Sequence, residues 1–588
     1  MDNKKKNESL EILEEKECLV NIATTKIKDF IFSTNKMKLI RGASYLLDYL
    51  NQVEIPNILQ KNEINNETGN KIKEILEDND KDFLNKLDEI IDKENSKVIY
   101  IGAGNAKFFV KNKEVAEKIC NEIKEKYKEI TPGIKIIAEY EEIGKEKIWD
   151  VIDKLEQKMT ETKNKGFSML NIDLPFMKKC DISNNEPAVI SCENLEEDLK
   201  KWSKEEIKNI KDVICKEKNY KISQESAVKI KYSNKIIKDD KNETGFYSII
   251  KREIKDIYLG GEISSYSDKN NFIGFVYTDG DGLGDFLRSI KNKFIKDQDE
   301  IGYLKFLKKF STVLDRNTKI SLKEVLKDFY DKGKFNKKLE EETVIGEFLI
   351  VGGDDVCAVF QADLALEISA EFQKKFEEKM KKFAKMQNDE ENNITSSGGV
   401  IIAKDKTPIY QLFERAIELQ KIAKLRRYEN SKKVQSEKTG YIDFQVIGSE
   451  GVVNIKEYRK KEIEGRNITE RPYSINDNVE GASPNINKLI KKIKSLKNVE
   501  FPNTKLKYIY DLKKNEIKTD NEKIMEMVNI FSKMSRENIE VLNNEWQIKE
   551  NLKISLEIDK TEGILDKVFS DIFDILEMYN FINVEESK

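Results

Sequence analysis

The sequence predicts an α+β fold in which a βαββαβ plan occurs twice. Glu347 to Phe360 has two apolar, β-branched runs on either side of Gly352-Gly353-Asp354-Asp355, which is typical of a β-hairpin with a tight turn. A second hairpin pattern occurs earlier, at Lys97 to Val110. Amphipathic helical stretches and further apolar strands surround each hairpin in the same order.

Residues 1–25 are expected to be a charged helical lead-in, and residues 26–172 to form the first copy of the plan. The strands of this copy are predicted at 26–34, in the hairpin at 97–110 and at 134–140. Its hairpin turn, Gly102-Ala103-Gly104-Asn105, holds no carboxylate. Its first strand is expected to end in Ser33-Thr34, where an acidic residue would be needed to bind a metal ion. Without acidic ligands a pair of Mg²⁺ ions cannot assemble, so we predict that this copy is degenerate.

Asn271 to Leu287 indicates a strand that runs directly into an acidic, glycine-rich turn. The strand is Phe272 to Thr278, and Asp279-Gly280-Asp281-Gly282-Leu283-Gly284 follows it. This order suits a metal-bound triphosphate, because N–H groups at a helix start face phosphates while a carboxylate holds the cation. An EF-hand loop would need Glu at its twelfth position, where Ile290 stands, so that kind of calcium site is excluded.

The turn of the second hairpin places Asp354 beside Asp355, and adjacent carboxylates repel each other unless a cation binds them. Hard divalent cations are the usual partners of such oxygens. A plain solvent-exposed turn is the alternative, since Gly and Asp are common in turns. In a βαββαβ sheet one hairpin strand lies beside the first strand. We therefore expect Asp279 to lie close to Asp354 and Asp355, as in two-metal nucleotidyl transfer.

Residues 271–447 complete the second copy, and residues 448–588 are predicted to be mostly helical. The other predicted elements of this copy are helices at 285–292, 303–314, 362–385 and 408–425 and strands at 394–403 and 441–447. In the C-terminal part, the lysine-rich run 488–518 could follow a nucleic-acid backbone, although such a run more often marks a solvated helix face. The last helix, 563–579, has a strong apolar face and is expected to be core.

Composition limits the chemistry that the chain can perform. The 588 residues include no histidine, which excludes HD phosphohydrolase chemistry, Ser-His-Asp triads and histidine-ligated metals. The length predicts roughly three to five domains, and a net charge of −4 means that nucleic-acid binding would depend on local patches. No apolar run approaches the ~20 residues of a membrane span. The six scattered cysteines suit a reducing compartment, so we expect a cytoplasmic protein without a membrane partner.

The order GGDD, YTDGDGLG, ITSSGGVIIA and AIELQKIAK shows a family resemblance over residues 271–447. This stretch resembles the active palm of the large polymerase–cyclase subunit of type III CRISPR effector complexes. That palm is ferredoxin-like and is similar to the palms of GGDEF diguanylate cyclases and class III nucleotide cyclases. The resemblance implies two palms, a linker subdomain at 173–270 and a helical C-terminal domain, in a version that lacks the family's HD nuclease domain.

The resemblance also implies a nucleotidyltransferase that joins ATP into 3′–5′ cyclic oligoadenylate, an antiviral second messenger. Two Mg²⁺ (or Mn²⁺) ions would be held by Asp279, Asp354 and Asp355 with help from the Gly280 carbonyl. The nucleotide-binding residues would be Gly280, Gly282, Leu283, Gly284, Gly352, Gly353, Ser396, Ser397 and Lys424. Among these, Ser396 and Ser397, with the helix start near Leu283 and Phe286, are the predicted walls that favour adenine, and hence ATP over GTP.

The linker of this family carries a zinc site made of two cysteine pairs, and this chain departs from that pattern. Structural zinc needs four Cys or His ligands. Only Cys180, Cys192 and Cys215 are candidates, since Ser183 and Lys218 stand where the second members of the two pairs are expected. We therefore expect zinc to be absent and apolar packing to hold the subdomain.

Two other functions stay open from the sequence. One is a GGDEF-like cyclic dinucleotide or mononucleotide cyclase, against which stand Val356, where GGDEF proteins have Phe, and the degenerate first palm. The other is a non-catalytic scaffold that binds RNA or protein, which would have no need of clustered carboxylates. The implied partners are ATP, subunits of a crRNA-guided effector complex and target RNA, and whether the chain acts alone or in that complex is open.

Overall fold

The computed structural model describes residues 17–584 of the chain. It leaves out residues 65, 94–96, 132, 166–176, 184–185, 216–219, 234, 236–244, 339–341, 390–391, 434–437, 449–454, 463–467, 477–483 and 549–567.

A first antiparallel sheet is formed by residues 18–142. Its strands are β1 (Cys18–Thr25), β2 (Val98–Gly102), β3 (Asn105–Val110) and β4 (Lys135–Glu142). The helices around it are α1 (Ile27–Ile31), α2 (Met37–Tyr49), α3 (Ile55–Lys61), α4 (Glu67–Ile75), α5 (Asp80–Lys93), α6 (Lys113–Ile130) and α7 (Ile148–Lys165), with a π-helical turn at Leu50–Glu54. The strand order is β2-β3-β1-β4, which is the order of a ferredoxin-like βαββαβ unit.

The first strand lies earlier in the chain than the sequence predicted. The predicted strand at 26–34 is wrong, because Lys26 adopts a left-handed φ of 54° and α1 follows it. The predicted helical lead-in is also wrong for its described part, since Cys18–Thr25 is the central strand, paired on both sides. Both faces of this strand are covered, since Cys18, Leu19, Val20 and Ile22 are fully buried, which is why it lacks the alternation of a half-buried strand.

The linker region, predicted at residues 173–270, consists mainly of short helices in its described residues. It contains α8 (Leu195–Asp198), α9 (Lys204–Ile214), α10 (Gln224–Ser233), α11 (Phe246–Ile250) and a 3₁₀ turn at Ile263–Tyr266. An apolar cluster that includes Cys180, Ile190, Ile210 and Ile222 is almost completely buried. Apolar packing therefore contributes to holding this subdomain together.

The second palm and the C-terminal part follow in the predicted order. The elements are β5 (Phe272–Asp281), α12 (Leu283–Asp297), α13 (Glu300–Asp331), β6 (Glu347–Gly352), β7 (Asp355–Gln361), α14 (Ala365–Met386), β8 (Thr395–Lys404), α15 (Ile409–Lys433), β9 (Tyr441–Ile447), α16 (Ile455–Glu462), β10 (Tyr473–Ser474), α17 (Ile486–Asn498), α18 (Asn503–Lys514), α19 (Asp520–Phe531), α20 (Arg536–Trp546), α21 (Ile572–Met578) and a 3₁₀ turn at Tyr579–Phe581. Residues 563–567 of the predicted last helix lie outside the described residues, and α21 is buried as expected.

The second sheet repeats the strand order of the first and extends it. Its order is β10-β9-β8-β5-β7-β6. β5 pairs antiparallel with β8 over its whole length, from Phe272 opposite Lys404 to Asp281 opposite Thr395, and β8 pairs parallel with β9. The predicted α+β fold with two ferredoxin-like palms is confirmed.

The chain divides into two compact units whose limits differ from the predicted domain boundaries. One unit comprises 1–265, 283–356 and 382–392, and the other comprises 266–282, 357–381 and 393–588. The stretch 271–447 therefore contributes to both units. Among the described residues, none of the helices is both long and apolar enough to cross a membrane.

Candidate active site

The C-terminal end of β5 carries the first predicted site residue, Asp279. Its Oδ2 atom accepts hydrogen bonds from Lys424 Nζ at 2.6 Å and from Gln420 Nε2 at 3.2 Å. The carbonyl oxygen of Gly280 accepts from the same Lys424 Nζ at 2.9 Å. Lys424 and Gln420 lie on α15, which packs along β5, β8 and β9. One ammonium group thus joins a carboxylate oxygen and the neighbouring carbonyl oxygen.

The Lys424 amine is held in its charged form. Burial disfavours the charge, but the hydrogen bond to Asp279 and the charges of Asp281 and Asp279 outweigh burial and raise the pKa of Lys424. Its side chain is still 44% exposed. The residue is therefore a partly accessible cation inside the site, where the sequence predicted a phosphate contact.

Asp281 is a member of this site that the sequence prediction missed. Ser397 Oγ donates a hydrogen bond to its Oδ2 atom, and Lys424 Nζ lies 3.3 Å from its Oδ1 atom. Burial raises the pKa of Asp281, while the Arg427 charge, the Ser397 hydrogen bond and Lys424 oppose that rise. The signal was in the Asp-Gly-Asp spacing, because residues two apart on a strand face the same side.

The turn after Asp281 depends on a glycine. Gly282 has a φ of +79°, and a Cβ there would lie 2.8 Å from Arg427 Nη2 and 3.0 Å from the Asn393 carbonyl oxygen. Arg427 is held in place by Nε donating to Thr395 Oγ1 at 2.7 Å and Nη2 donating to the Asn393 carbonyl at 3.1 Å. Arg427 thus supports the turn.

We expect Gly282→Ala to lower the free energy of unfolding by about 1–2 kcal/mol, the cost of a left-handed conformation for a residue with a Cβ. Gly284→Ala is the matched control, because Gly284 is exposed at the start of α12 and a Cβ there meets no atom within 4 Å. Chemical denaturation of both variants measures the difference. Parent-like stability of Gly282→Ala would contradict the assigned strain.

Side chains of α13 hold the turn of the second hairpin. Asp315 Oδ1 accepts the Gly353 N–H at 3.0 Å, and Thr318 Oγ1 donates to the Gly353 carbonyl at 2.6 Å. Lys319 Nζ pairs with Asp315 Oδ2 at 2.7 Å. Gly353 has a φ of +61°, where glycine is favoured. The backbone that carries the two predicted acids is therefore held by hydrogen bonds from α13.

Asp354 lies in this turn and Asp355 begins β7, and both side chains are half-buried. Gly352 ends β6, and a Cβ there would stand 3.4 Å from Asp315 Oδ1. The closeness of Asp279 to the acidic pair stays a prediction.

A cavity of about 420 Å³ opens beside the two hairpin turns. The turns are in contact, since a Cβ at Gly353 would lie 3.2 Å from the Cβ of Ala103. The cavity walls come from both hairpins and from α13, and they include Tyr100, Asn105 and Asp354. The volume lies within the ~300–1,000 Å³ of typical ligand pockets. The first palm therefore contributes a wall to this cavity although its own turn lacks an acid.

Three of the predicted adenine walls, Ser396, Ser397 and Phe286, are buried in this structure. Ser396 and Ser397 are almost completely buried in β8, where their hydroxyls donate to the Asp279 carbonyl (3.4 Å) and to Asp281. Phe286 is fully buried among Phe306, Phe310 and Phe383. These side chains thus pack within the sheet and against the helices, and their role as adenine walls stays a prediction. Leu283, the first residue of α12, is half-buried.

The oxygen atoms of Asp279 and Gly280 are of the kind that hard divalent cations bind. Mg²⁺ prefers carboxylate and carbonyl oxygens, and those of Asp279 and Gly280 already converge on one cationic nitrogen. In the part of the chain that the structure describes, no three or more carboxylate or thiolate side chains are grouped so that they could hold a metal ion. The two-ion site formed with Asp354 and Asp355 stays a prediction.

The cysteines of the linker are arranged differently from the expected reduced state. Cys192 and Cys215 form a disulfide with their Cα atoms 5.7 Å apart, although they are 23 residues apart in the chain. Cys180 is a free, buried thiol that contacts Ser226 Oγ at 3.3 Å. The expectation that zinc is absent stays a prediction, and two of the three candidate ligands are bonded to each other.

Several lysines of the run 488–518 are used inside their own unit. The contacts are Lys492 to Asp571 at 2.6 Å, Lys494 to Glu367 at 2.9 Å, Lys497 to the Ile582 carbonyl at 2.6 Å and Lys513 to the Val568 carbonyl at 3.0 Å. Lys488, Lys491 and Lys507 are exposed. RNA contact through this run stays a prediction that depends on the exposed lysines.

Comparisons with known proteins agree with the palm assignment. Residues 272–432 match the family model of the second palm domain of Cas10/Cmr2, which confirms the resemblance of this stretch. A search of curated proteins found no match. Among similar solved structures is a Csm1–Csm4 cassette in complex with one ATP, which is 14% identical over 97% of this chain and 70% of that chain, with a TM-score of 0.48. A Csm1–Csm4 cassette in complex with cA4 and Csm1 of T. onnurineus are each 15% identical over 96% of this chain and 70% of that chain, with a TM-score of 0.44.

Proposed function

We propose that the chain is a metal-dependent nucleotidyltransferase that converts ATP into 3′–5′ cyclic oligoadenylate for antiviral defence, since residues 272–432 match the second palm domain of Cas10/Cmr2. One observation carries the proposal: inside the matched palm, a carboxylate oxygen of Asp279 and the carbonyl oxygen of Gly280 bind a single cationic group. The cavity beside the hairpin turns supports it, because its volume is in the range of ligand pockets.

In this proposal Asp279, Asp354 and Asp355, with the Gly280 carbonyl, would hold two Mg²⁺ or Mn²⁺ ions. Such ions, when bound, lower the pKa of an attacking 3′-hydroxyl and neutralise triphosphate charge. Asp315 and Thr318 keep the acidic turn in one conformation by binding both backbone groups of Gly353.

The phosphates would bind at the start of α12. Gly284 is exposed there and Gly282 sets the turn, so backbone N–H groups of the first helical turn are accessible to an anion. Lys424 would contact the same phosphates as a point charge. The preference for ATP rests on the family and not on Ser396 and Ser397, which are buried. Effector-complex subunits and target RNA as partners, and a cytoplasmic location, are part of the proposal.

The test is product analysis with the full chain. The purified protein is incubated with Mg²⁺ and labelled ATP or labelled GTP, each with and without RNA, and the products are separated by chromatography. We expect linear and cyclic oligoadenylates from ATP and roughly five- to a hundredfold less turnover of GTP, the range for one unpaired buried polar group.

Two outcomes would contradict the proposal. Efficient turnover of GTP alone to a cyclic dinucleotide would place the protein with GGDEF-like cyclases. Binding of RNA without binding or turnover of either nucleotide would show a scaffold.

A further inference from the structure

The ammonium of Lys424 lies where a metal ligand set would place its cation. Its Nζ atom is 2.6 Å from Asp279 Oδ2 and 2.9 Å from the Gly280 carbonyl oxygen. These two oxygens are the ones that the proposed function assigns to the metal. We propose that Lys424 is a built-in competitor of the metal, which binds the same two oxygens, and that nucleotide phosphates relieve the competition by receiving the ammonium. The inference rests on the proposed function and adds a regulation of its site.

The two cations exclude each other on geometric and electrostatic grounds. Mg²⁺ binds its oxygens at about 2.0–2.1 Å, so an ion on Asp279 Oδ2 and the Gly280 carbonyl would lie in the space of the ammonium. A divalent cation and an ammonium within a few ångströms also repel each other strongly in a partly buried site. Metal binding therefore requires the lysine head group to move.

Asp281 keeps the lysine at the site. Its Oδ1 atom lies 3.3 Å from Lys424 Nζ, and its other oxygen is bound by Ser397. The buried Asp281 is thus fixed, while the lysine is only partly covered and has a flexible four-carbon stem. When the lysine turns toward an anion, the carboxylate of Asp279 is released to the metal.

This competition couples metal binding to nucleotide binding. A nucleotide phosphate bound beside Asp279 offers Lys424 a second anionic partner, so the nucleotide lowers the cost of displacing the lysine. By linkage the metal must strengthen nucleotide binding by the same factor. A lysine that only braced the end of β5 would lower the affinity for metal by its charge, but it would not move toward the nucleotide, so the competition would remain when the nucleotide binds.

The test compares Mn²⁺ affinity in the full-length protein and in Lys424→Met, measured by the electron paramagnetic resonance of free Mn²⁺ with and without a non-hydrolysable ATP analogue. Lys432→Met is the matched control, since Lys432 is an exposed lysine further along α15. Asp279→Asn identifies the Mn²⁺ bound at this site. We expect Lys424→Met to bind Mn²⁺ alone about two- to fivefold more tightly than Lys432→Met and to show a smaller strengthening by the analogue.

A second measurement uses the unsubstituted protein, so that it does not depend on a variant folding. Acetic anhydride labelling of Lys424, followed by mass spectrometry, should rise when Mn²⁺ is added and fall again when the ATP analogue is added with Mn²⁺. Unchanged labelling, or unchanged or weaker Mn²⁺ affinity in Lys424→Met, would overturn the competition alone. Equal Mn²⁺ affinity in Asp279→Asn and the parent would instead overturn the metal site on which the proposed function depends.

Discussion

Replacing Asp354 and Asp355 together by alanine is expected to reduce oligoadenylate synthesis by roughly a hundred- to a thousandfold, the scale of losing a group that stabilises transition-state charge. The two carboxylates are half-buried on a turn whose backbone is held by Asp315 and Thr318. Their removal therefore takes away the proposed metal ligands and leaves the two hydrogen bonds to the Gly353 backbone in place. The measurement is the initial rate of product formation from labelled ATP.

The matched control removes the same number of negative charges elsewhere. Asp297→Ala with Asp511→Ala does so at two exposed positions, at the end of α12 and on α18. Circular dichroism of both double variants verifies the fold. A parent-like rate in the hairpin variant would show that the acidic turn is not the site of the reaction.

The second large effect concerns stability. Arg41 on α2 and Glu347 at the start of β6 form a buried ion pair. Arg41 Nε donates to Glu347 Oε1 at 2.7 Å and Nη2 donates to the Gly260 carbonyl at 2.6 Å, while the Tyr247 hydroxyl donates to Glu347 Oε1 at 3.0 Å. The pair joins the first palm to the strand that leads into the acidic turn.

We expect Arg41→Met to lower the free energy of unfolding by about 3–5 kcal/mol, because it leaves the Glu347 carboxylate buried without its counter-charge. The double variant Arg41→Met with Glu347→Gln should recover much of this loss, since no buried charge then remains. Denaturant titrations of the single and double variants, read as a double-mutant cycle, measure both terms. Equal destabilisation of the two variants would indicate that lost packing, rather than the unpaired charge, sets the cost.

The sequence contained enough to predict both hairpins and the end of β5. Two apolar β-branched runs around Gly352-Gly353 are a strong local signal for a tight hairpin. An apolar strand that runs into an acidic, glycine-rich turn likewise indicates that Asp279 lies at the end of that strand. The repeated strand order also followed, because the helices and strands around both hairpins occur in the same order. Local pattern and local glycine chemistry decide these features.

Features that depend on distant partners were not predictable in the same way. Ser396 and Ser397 carry hydroxyls suited to a base, but pairing of β8 with β5 turns those hydroxyls toward Asp279 and Asp281. The first strand was missed because Cys18–Thr25 follows a charged stretch and lacks the alternation of a half-buried strand. The ion pair of Arg41 with Glu347 and the disulfide of Cys192 with Cys215 join residues that no local pattern relates.

The contact between the two hairpin turns has an evolutionary consequence. Because a Cβ at Gly353 would approach the Cβ of Ala103 to 3.2 Å, position 353 can gain a side chain only where residue 103 leaves room for it. The turn of the first hairpin holds no carboxylate, yet the space at its tip is still shared with Gly353. Among homologues of this chain, side-chain size at positions 103 and 353 should therefore covary, with the sum of the two volumes kept small even where the surrounding residues diverge.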